Sequence, residues 1–187
     1  MKVFKFGGAS VKDAAGVQNL VLVLEKVGFK ETLIVVSAMG KTTNALEAII
    51  ETYFKNKKQT PKGILALKQF HLDVVKDLFR EESGEVETAI HQLFEELIAF
   101  FNTNKSPDYS FVYDQVVSYG ELLSTTIIHH FIQKKKIDSF WLDARNCIKT
   151  DDYYRSANLN WELTLNKINQ QIGKNSLIIT QGFIGSN

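Results

Sequence analysis

Lys5, Gly7, Gly8 and Ser10 fall within one short stretch, Val3-Phe4-Lys5-Phe6-Gly7-Gly8-Ala9-Ser10, that could handle a phosphate. Two glycines remove the side chains that would keep an anion from the backbone amides, and a following helix would offer its positive end to the same place. Lys5 would point a cation there. A Gly-Gly pair alone more often marks a plain strand-to-helix turn, so the reading depends on context. A second turn, Met39-Gly40-Lys41-Thr42-Thr43, resembles the tail of a P-loop, but the first glycine of that pattern is replaced by Val35, inside an apparent strand. A P-loop is therefore excluded. No complete Gly-x-Gly-x-x-Gly occurs, which argues against dinucleotide binding. Ser118-Tyr119-Gly120-Glu121 places a carboxylate in an otherwise apolar helical region, where it faces either water or a cationic ligand. His71, His91, His129 and His130 show no metal-ligand spacing, and no metal site is expected among the side chains. Cys147 is the single cysteine and is expected to be buried packing, with a reducing compartment implied.

The elements that must position these groups follow from apolar periodicity. Val3, Phe4 and Phe6 predict a strand ending at Gly7, and a helix is expected from about Asp13 to Val27. Thr32–Val36 is a continuous β-branched run, the pattern of a parallel strand covered on both faces. Two amphipathic stripes, Leu67 to Phe79 and Val86 to Phe101, predict a helical hairpin turning near Ser83-Gly84. A further helical region starts near Pro107-Asp108, with Gly120 expected to break or bend it. Phe140-Trp141-Leu142 reads as a strand, Trp161, Leu165, Ile168 and Ile172 as a helix stripe, and Leu177–Thr180 as a last buried strand. Strands alternating with helices imply a mostly parallel α/β sheet. Lysines at 55–58 and 134–136 suit helix carboxyl ends.

The chain has 187 residues, 44% hydrophobic and 23% charged, enough for a substantial core. With 22 Lys+Arg against 21 Asp+Glu the net charge is +1, so no bulk field favours nucleic acid or a membrane surface. The N-terminus lacks a secretory pattern, and no apolar run approaches the ~20 residues of a membrane span. A cytoplasmic protein is expected.

Four segments together resemble aspartate kinase, a branch of the amino-acid kinase superfamily: the opening through Val11, Val35–Asn44, Tyr113–Glu121 and Ile179–Gly185. The resemblance implies a three-layer αβα sandwich with a helical insertion at about 63–104. It also implies phosphoryl transfer from ATP, with Mg2+, to the side-chain carboxylate of L-aspartate, at the start of lysine, threonine and methionine synthesis. Lys5 matches the catalytic lysine, and Phe6, Gly7, Gly8 and Ser10 belong to the phosphate loop. Ser37, Thr43, Glu121, Gly182, Phe183, Gly185 and Arg145 match substrate positions, with Glu121 pairing the aspartate ammonium group. Ala9 departs from the usual threonine, and the turn around Lys41 is atypical. The family continues past its Gly-Phe-Ile-Gly loop into a Gly-x-Gly-Ser-Asp turn, a nucleotide-binding half and regulatory domains. Residues 1–187 are therefore expected to be the substrate-side lobe of a protein that is homo-oligomeric when full length, with little kinase activity alone. A glutamate or UMP kinase of the same superfamily, or a non-catalytic aspartate-binding lobe, is the alternative.

Overall fold

A computed structural model describes residues 1–173 and 177–187. Four parallel strands, β1 (Lys2–Phe6), β2 (Thr32–Val36), β3 (Phe140–Leu142) and β4 (Leu177–Gln181), form one sheet in the order β1-β2-β4-β3. Among the described residues six α-helices connect or flank them: α1 (Ala14–Val27), α2 (Thr42–Lys55), α3 (Thr60–Phe79), α4 (Gly84–Thr103), α5 (Tyr109–Lys134) and α6 (Trp161–Gln171). The α/β class and the parallel sheet agree with the sequence pattern.

Alternation along the strands divides the core. Ile34, Val36, Leu177 and Ile179 join the main cluster with Leu20 and Leu24 of α1, while Phe4 and Phe6 pack against its edge. Ile178 and Leu142 turn to the other face, against Cys147 and the half-buried Ile168 and Ile172 at the end of α6. That second face is only partly covered. Leu33 and Val35 are half-buried and Val3 is exposed, so β2 is fully covered on one side alone. The expectation of burial on both faces fails because α6 brings only Ile168 and Ile172 to this face, beside Leu142, Ile178 and the half-buried Leu33. The helix predicted from Trp161, Leu165, Ile168 and Ile172 forms, but only the last two of these pack on the sheet: Trp161 is 77% and Leu165 59% exposed.

The hairpin forms as predicted, with His71, Val74, Val75 and Leu78 of α3 and Ile90, Phe94 and Leu97 of α4 buried. Phe70 and Ile98, on the same predicted stripes, remain exposed. The expected lysine ends form in part: Lys55 closes α2, and Lys134 closes α5, donates to the Phe79 carbonyl at 2.9 Å and pairs with Glu82 at 3.0 Å, whereas Lys57 and Lys58 lie in a short turn that leads into the amino end of α3.

Asp108 starts α5 by accepting from the amides of Ser110 and Phe111. The helix is buried almost all round, including adjacent pairs such as Leu122-Leu123 and Ile127-Ile128, as suits a central helix. Gly120 does not break it. A Cβ there would stand 2.8 Å from the Ala38 Cβ and 3.4 Å from the Thr42 Cγ2, so glycine permits α5 to approach the turn after β2. Gly120→Ala gains helix propensity of about 1 kcal/mol but overpacks this contact by about 1–3 kcal/mol. A net loss of about 1 kcal/mol is expected in urea denaturation, and a stabilised variant would contradict the close approach.

Candidate active site

Three parallel strands deliver their carboxyl ends side by side, and the connecting turns are laced together. The Ser37 amide donates to the Phe6 carbonyl at 3.0 Å, Gly40 to Gly8 at 3.0 Å, and Gly182 to Val36 at 2.9 Å. Clefts outside the carboxyl ends of strands in open α/β sheets are the usual ligand position. Gly8 is a close-approach residue, since a Cβ there would lie 2.6 Å from the Ala38 carbonyl oxygen. Gly7 has open space instead, with nothing within 4 Å of its Cβ position. Ser10 is exposed, its amide closing the turn onto the Gly7 carbonyl at 2.8 Å. The amino end of α1 lies further on, where Asp13 accepts from the Gly16 amide at 2.8 Å. The helix is thus capped by its own carboxylate rather than opening directly on the Gly7-Gly8 turn.

Beneath these turns runs α5. Ser124 donates to the Ser37 carbonyl at 2.9 Å, and the Ala38 amide donates to Glu121 Oε1 at 3.1 Å. Glu121 is only 4% exposed, and its Oε2 has no hydrogen-bond partner among the described residues. Burial raises its pKa from 4.5 to about 7, with the Ala38 amide opposing the shift. A buried carboxylate with one oxygen unspent is poised to receive a cation. Solvent exposure, one of the two readings open in the sequence, is therefore corrected.

The other predicted residues occupy different parts of this end of the sheet. Lys5 is exposed and lies in register with Val35. Since Phe4 and Phe6 face the main core, Lys5 points to the open face. Thr43 is half-buried in the first turn of α2, whereas its neighbour Thr42 is buried and directed at His71. The His71 Nδ1–H serves the Leu67 carbonyl at 2.8 Å, which leaves Nε2 to accept from the Thr42 hydroxyl at 3.4 Å. Desolvation keeps this ring neutral, with its pKa lowered to about 4. A packing role accounts for it.

Gly182 packs against Val35 and Ser37, with its Cβ position 4.0 Å from the Ser37 Oγ. Phe183, at φ 69°, is 86% exposed. Gly185 shares a groove of about 260 Å³ with Arg145, Ser118 and Asp114. Arg145 is held by Asp143, Nη2 to Oδ2 at 2.6 Å, and this carboxylate keeps its already high pKa raised. The structure thus brings Gly8, Ser37, Glu121 and Gly182 together and sets Arg145 apart, beyond Gly185.

Two polar residues that sequence reasoning passed over tie this end together. Gln181 ends the fully buried strand β4, accepting from the Ala144 amide at 2.7 Å and donating to the Thr125 Oγ1 at 2.8 Å. Its position at a strand end was the available signal. Arg155 gives its backbone amide to Asp114 at 2.7 Å and lays its guanidinium 4.5 Å from the centre of the Tyr113 ring. It lies in an aperiodic loop with no sequence cue.

The sequence profile of the amino acid kinase family matches residues 1–187. The chain belongs to the amino acid kinase family. It is 28% identical over 187 residues to an aspartokinase of Chlamydia pneumoniae, covering 99% of this chain and 39% of that protein. It is 26% identical over 189 residues to the lysine-sensitive aspartokinase 3 of Escherichia coli, covering 98% of this chain and 40% of that protein. The chain therefore spans about 40% of the length of these curated relatives. The crystal structure of Escherichia coli aspartokinase III with lysine and aspartate superposes with a TM-score of 0.88 at 24% identity, over 100% of this chain and 42% of that one. The same fold recurs in aspartate kinase from Clostridium acetobutylicum, at a TM-score of 0.78 and 20% identity, over 100% of this chain and 40% of that one. Among the described residues no helix is long and apolar enough to cross a membrane.

Proposed function

We propose that this chain is the aspartate-binding lobe of an aspartate kinase, which transfers the γ-phosphoryl group of ATP to the side-chain carboxylate of L-aspartate. The observation that carries the reading is Glu121: a buried carboxylate with an unpartnered oxygen, set where three strand ends and the Ser37-Ala38 turn converge. An amino acid presents the complementary ammonium group. The relatives support the same substrate, since the Escherichia coli enzyme has been crystallised with aspartate and ADP.

In this reading Glu121 takes the α-ammonium group, while Ser37, Thr43 and the 182–185 loop orient the remainder, with Arg145 a more distant anion partner. The substrate carboxylate is already ionised at neutral pH, so no strong general base is needed. The demand is to bring two anions together in line and to offset charge on the moving phosphoryl group. Lys5 supplies a cation from the open face of β1, and Phe6, Gly7, Gly8 and Ser10 supply the backbone of the phosphate turn. Mg2+ carried by the nucleotide would neutralise charge on its phosphate oxygens. The product, 4-phospho-L-aspartate, serves lysine, threonine and methionine synthesis, and we place the protein in the cytoplasm.

Residues 1–187 form the substrate-side lobe in this proposal. The nucleotide-binding half would cover the open face of β1 and β2, where Val3 is exposed and Leu33 and Val35 are half-buried. Turnover by this chain alone should be negligible. Calorimetric titration with L-aspartate is expected to show saturable binding at pH 8, with L-glutamate at least tenfold weaker and no ADP release in a coupled assay. Preference for glutamate, or absence of aspartate binding at any attainable concentration, would overturn the assignment of this lobe.

A further inference from the structure

Substrate contacts are proposed above for Glu121 on α5, for Arg145 after β3 and for the 182–185 loop after β4, three segments far apart in sequence. One buried side chain joins them. Gln181, the last residue of β4, is 4% exposed and immediately precedes the loop. Its Oε1 accepts from the Ala144 amide at 2.7 Å, at the start of the turn that carries Arg145. Its Nε2 donates to the Thr125 Oγ1 at 2.8 Å, one helical turn beyond Glu121. A backbone amide can only donate, so the Ala144 contact fixes which end of the carboxamide is oxygen.

Thr125 has no exposed surface, and its hydroxyl uses its whole capacity of one donor and two acceptor positions. It accepts from Gln181 and from the Trp141 Nε1–H at 3.1 Å, and it donates to the Glu121 carbonyl at 2.8 Å. Hydrogen bonds linked in this way through a dry interior polarise one another, and losing one member leaves buried partners unpaired. Unlike Glu121, whose Oε2 is unpartnered, Thr125 has no position left for a ligand. An apolar cluster makes the same three connections. Leu122 of α5, Ala144 and Ile184 of the loop are buried together, with Tyr119 and Trp141 packed against them.

We propose that Gln181 and Thr125 are positioning residues for the substrate site: the Gln181 carboxamide, through Thr125, sets the spacing between the Glu121 turn of α5 and the 182–185 loop, and Trp141 senses occupancy of the site. This inference rests on the aspartate reading. The demand is geometric. Glu121 takes the ammonium end of a small substrate while the loop orients the remainder, so an error on the order of 0.5 Å between them is enough to weaken the grip. Ion pairing at Glu121 reaches Trp141 by the shortest polar route in the network, from the Glu121 carbonyl to the Thr125 hydroxyl to the indole N–H.

Three substitutions separate the roles. Thr125→Val keeps the side-chain shape and deletes the hydroxyl, Thr125→Ser keeps the hydroxyl, and Gln181→Met keeps the length and deletes both amide contacts. In calorimetric titrations of the whole chain, Thr125→Val and Gln181→Met are each expected to weaken L-aspartate binding about tenfold, with Thr125→Ser within about twofold of wild type. The double variant should bind no more weakly than the weaker single, because both act through one network. In the wild type, the Trp141 indole N–H resonance should shift on titration with L-aspartate and saturate at the calorimetric dissociation constant. Trp161→Phe, at an exposed position, identifies which of the two indole signals belongs to Trp141. Wild-type affinity in folded Thr125→Val and Gln181→Met, a loss in Thr125→Ser as large as in Thr125→Val, or an indole signal unmoved at saturation would overturn the positioning role and leave aspartate binding by the wild type standing. Absence of aspartate binding to the wild type would overturn both readings together. The indole titration uses the unaltered protein, so it decides the matter where a variant fails to fold.

Discussion

Glu121→Gln is expected to weaken L-aspartate binding about 100-fold, equivalent to about 3 kcal/mol, because a buried charged partner of the ammonium group is replaced by a neutral amide. Glutamine can still accept from the Ala38 amide, so the 3.1 Å contact that fixes the turn is retained. The same substitution has a second, independent readout. Burial raises the Glu121 pKa from 4.5 to about 7 in the folded protein. Below pH 4.5 the group is protonated in both folded and unfolded states and costs nothing. Between pH 4.5 and 7 the unfolded chain ionises while the folded one keeps its proton, so stability falls by an amount on the order of 3 kcal/mol, then levels above pH 7. The glutamine variant lacks this term. Its stability relative to wild type should therefore rise across that window in urea titrations at successive pH values. The comparison is needed because His71 and His129, both held neutral by burial with pKa values lowered to about 4, contribute the opposite slope in both proteins. They lose stability as pH drops through 6.5 and the unfolded chain takes up protons. Aspartate binding to the wild type should release a proton below pH 7 and weaken up to about tenfold per pH unit there. Wild-type affinity in the glutamine variant would remove Glu121 from the site.

Much of this arrangement was legible in the residues, and the gaps have physical causes. The apolar run of β4 and most of the hairpin stripes needed only periodicity, since local pattern and burial agree there, whereas β2 reads alike in sequence but is fully covered on one face alone. The environment of Glu121 could not be read that way. Helix α5 is buried on nearly all sides, so the polar stripe of Asp114, Ser118, Glu121 and Thr125 does not mark a solvent-facing side, and the burial of Glu121 depends on the turn after β2 arriving over Gly120. Gly120 is ambiguous in sequence, because a helix break and a close approach call for the same residue, and here the close approach applies. The exposure of Trp161 and Leu165 shows the converse limit: a helical stripe says which residues prefer burial, but what covers them is set by the rest of the fold. At the opening turn the two glycines read alike in sequence, yet the structure gives them different tasks.

That difference predicts opposite outcomes for one methyl group at adjacent positions. At Gly8 a Cβ would meet the carbonyl oxygens of Ala38 at 2.6 Å and Gly40 at 3.2 Å, both backbone atoms that no rotamer change can move aside. Gly8→Ala must therefore separate the turns after β1 and β2, straining the 3.0 Å bond from the Gly40 amide to the Gly8 carbonyl. Overpacking of about 1–3 kcal/mol and a hydrogen bond worth about 1 kcal/mol set the expected loss at about 2–4 kcal/mol in chemical denaturation. The displaced Ala38 amide would also release Glu121, so aspartate affinity should fall in the surviving folded fraction. At Gly7 nothing lies within 4 Å of the added methyl, and Gly7→Ala should keep stability within about 0.5 kcal/mol of wild type. Its effect should appear instead on nucleotide, because the methyl would stand in the open space above the turn that the phosphates are proposed to enter. In the full-length protein, Gly7→Ala is accordingly expected to raise the KM for ATP at least tenfold with little change in the KM for aspartate. Equal stability of the two alanine variants would contradict the close approach of the β1 and β2 turns, and an unchanged KM for ATP in Gly7→Ala would move the phosphate site away from this loop.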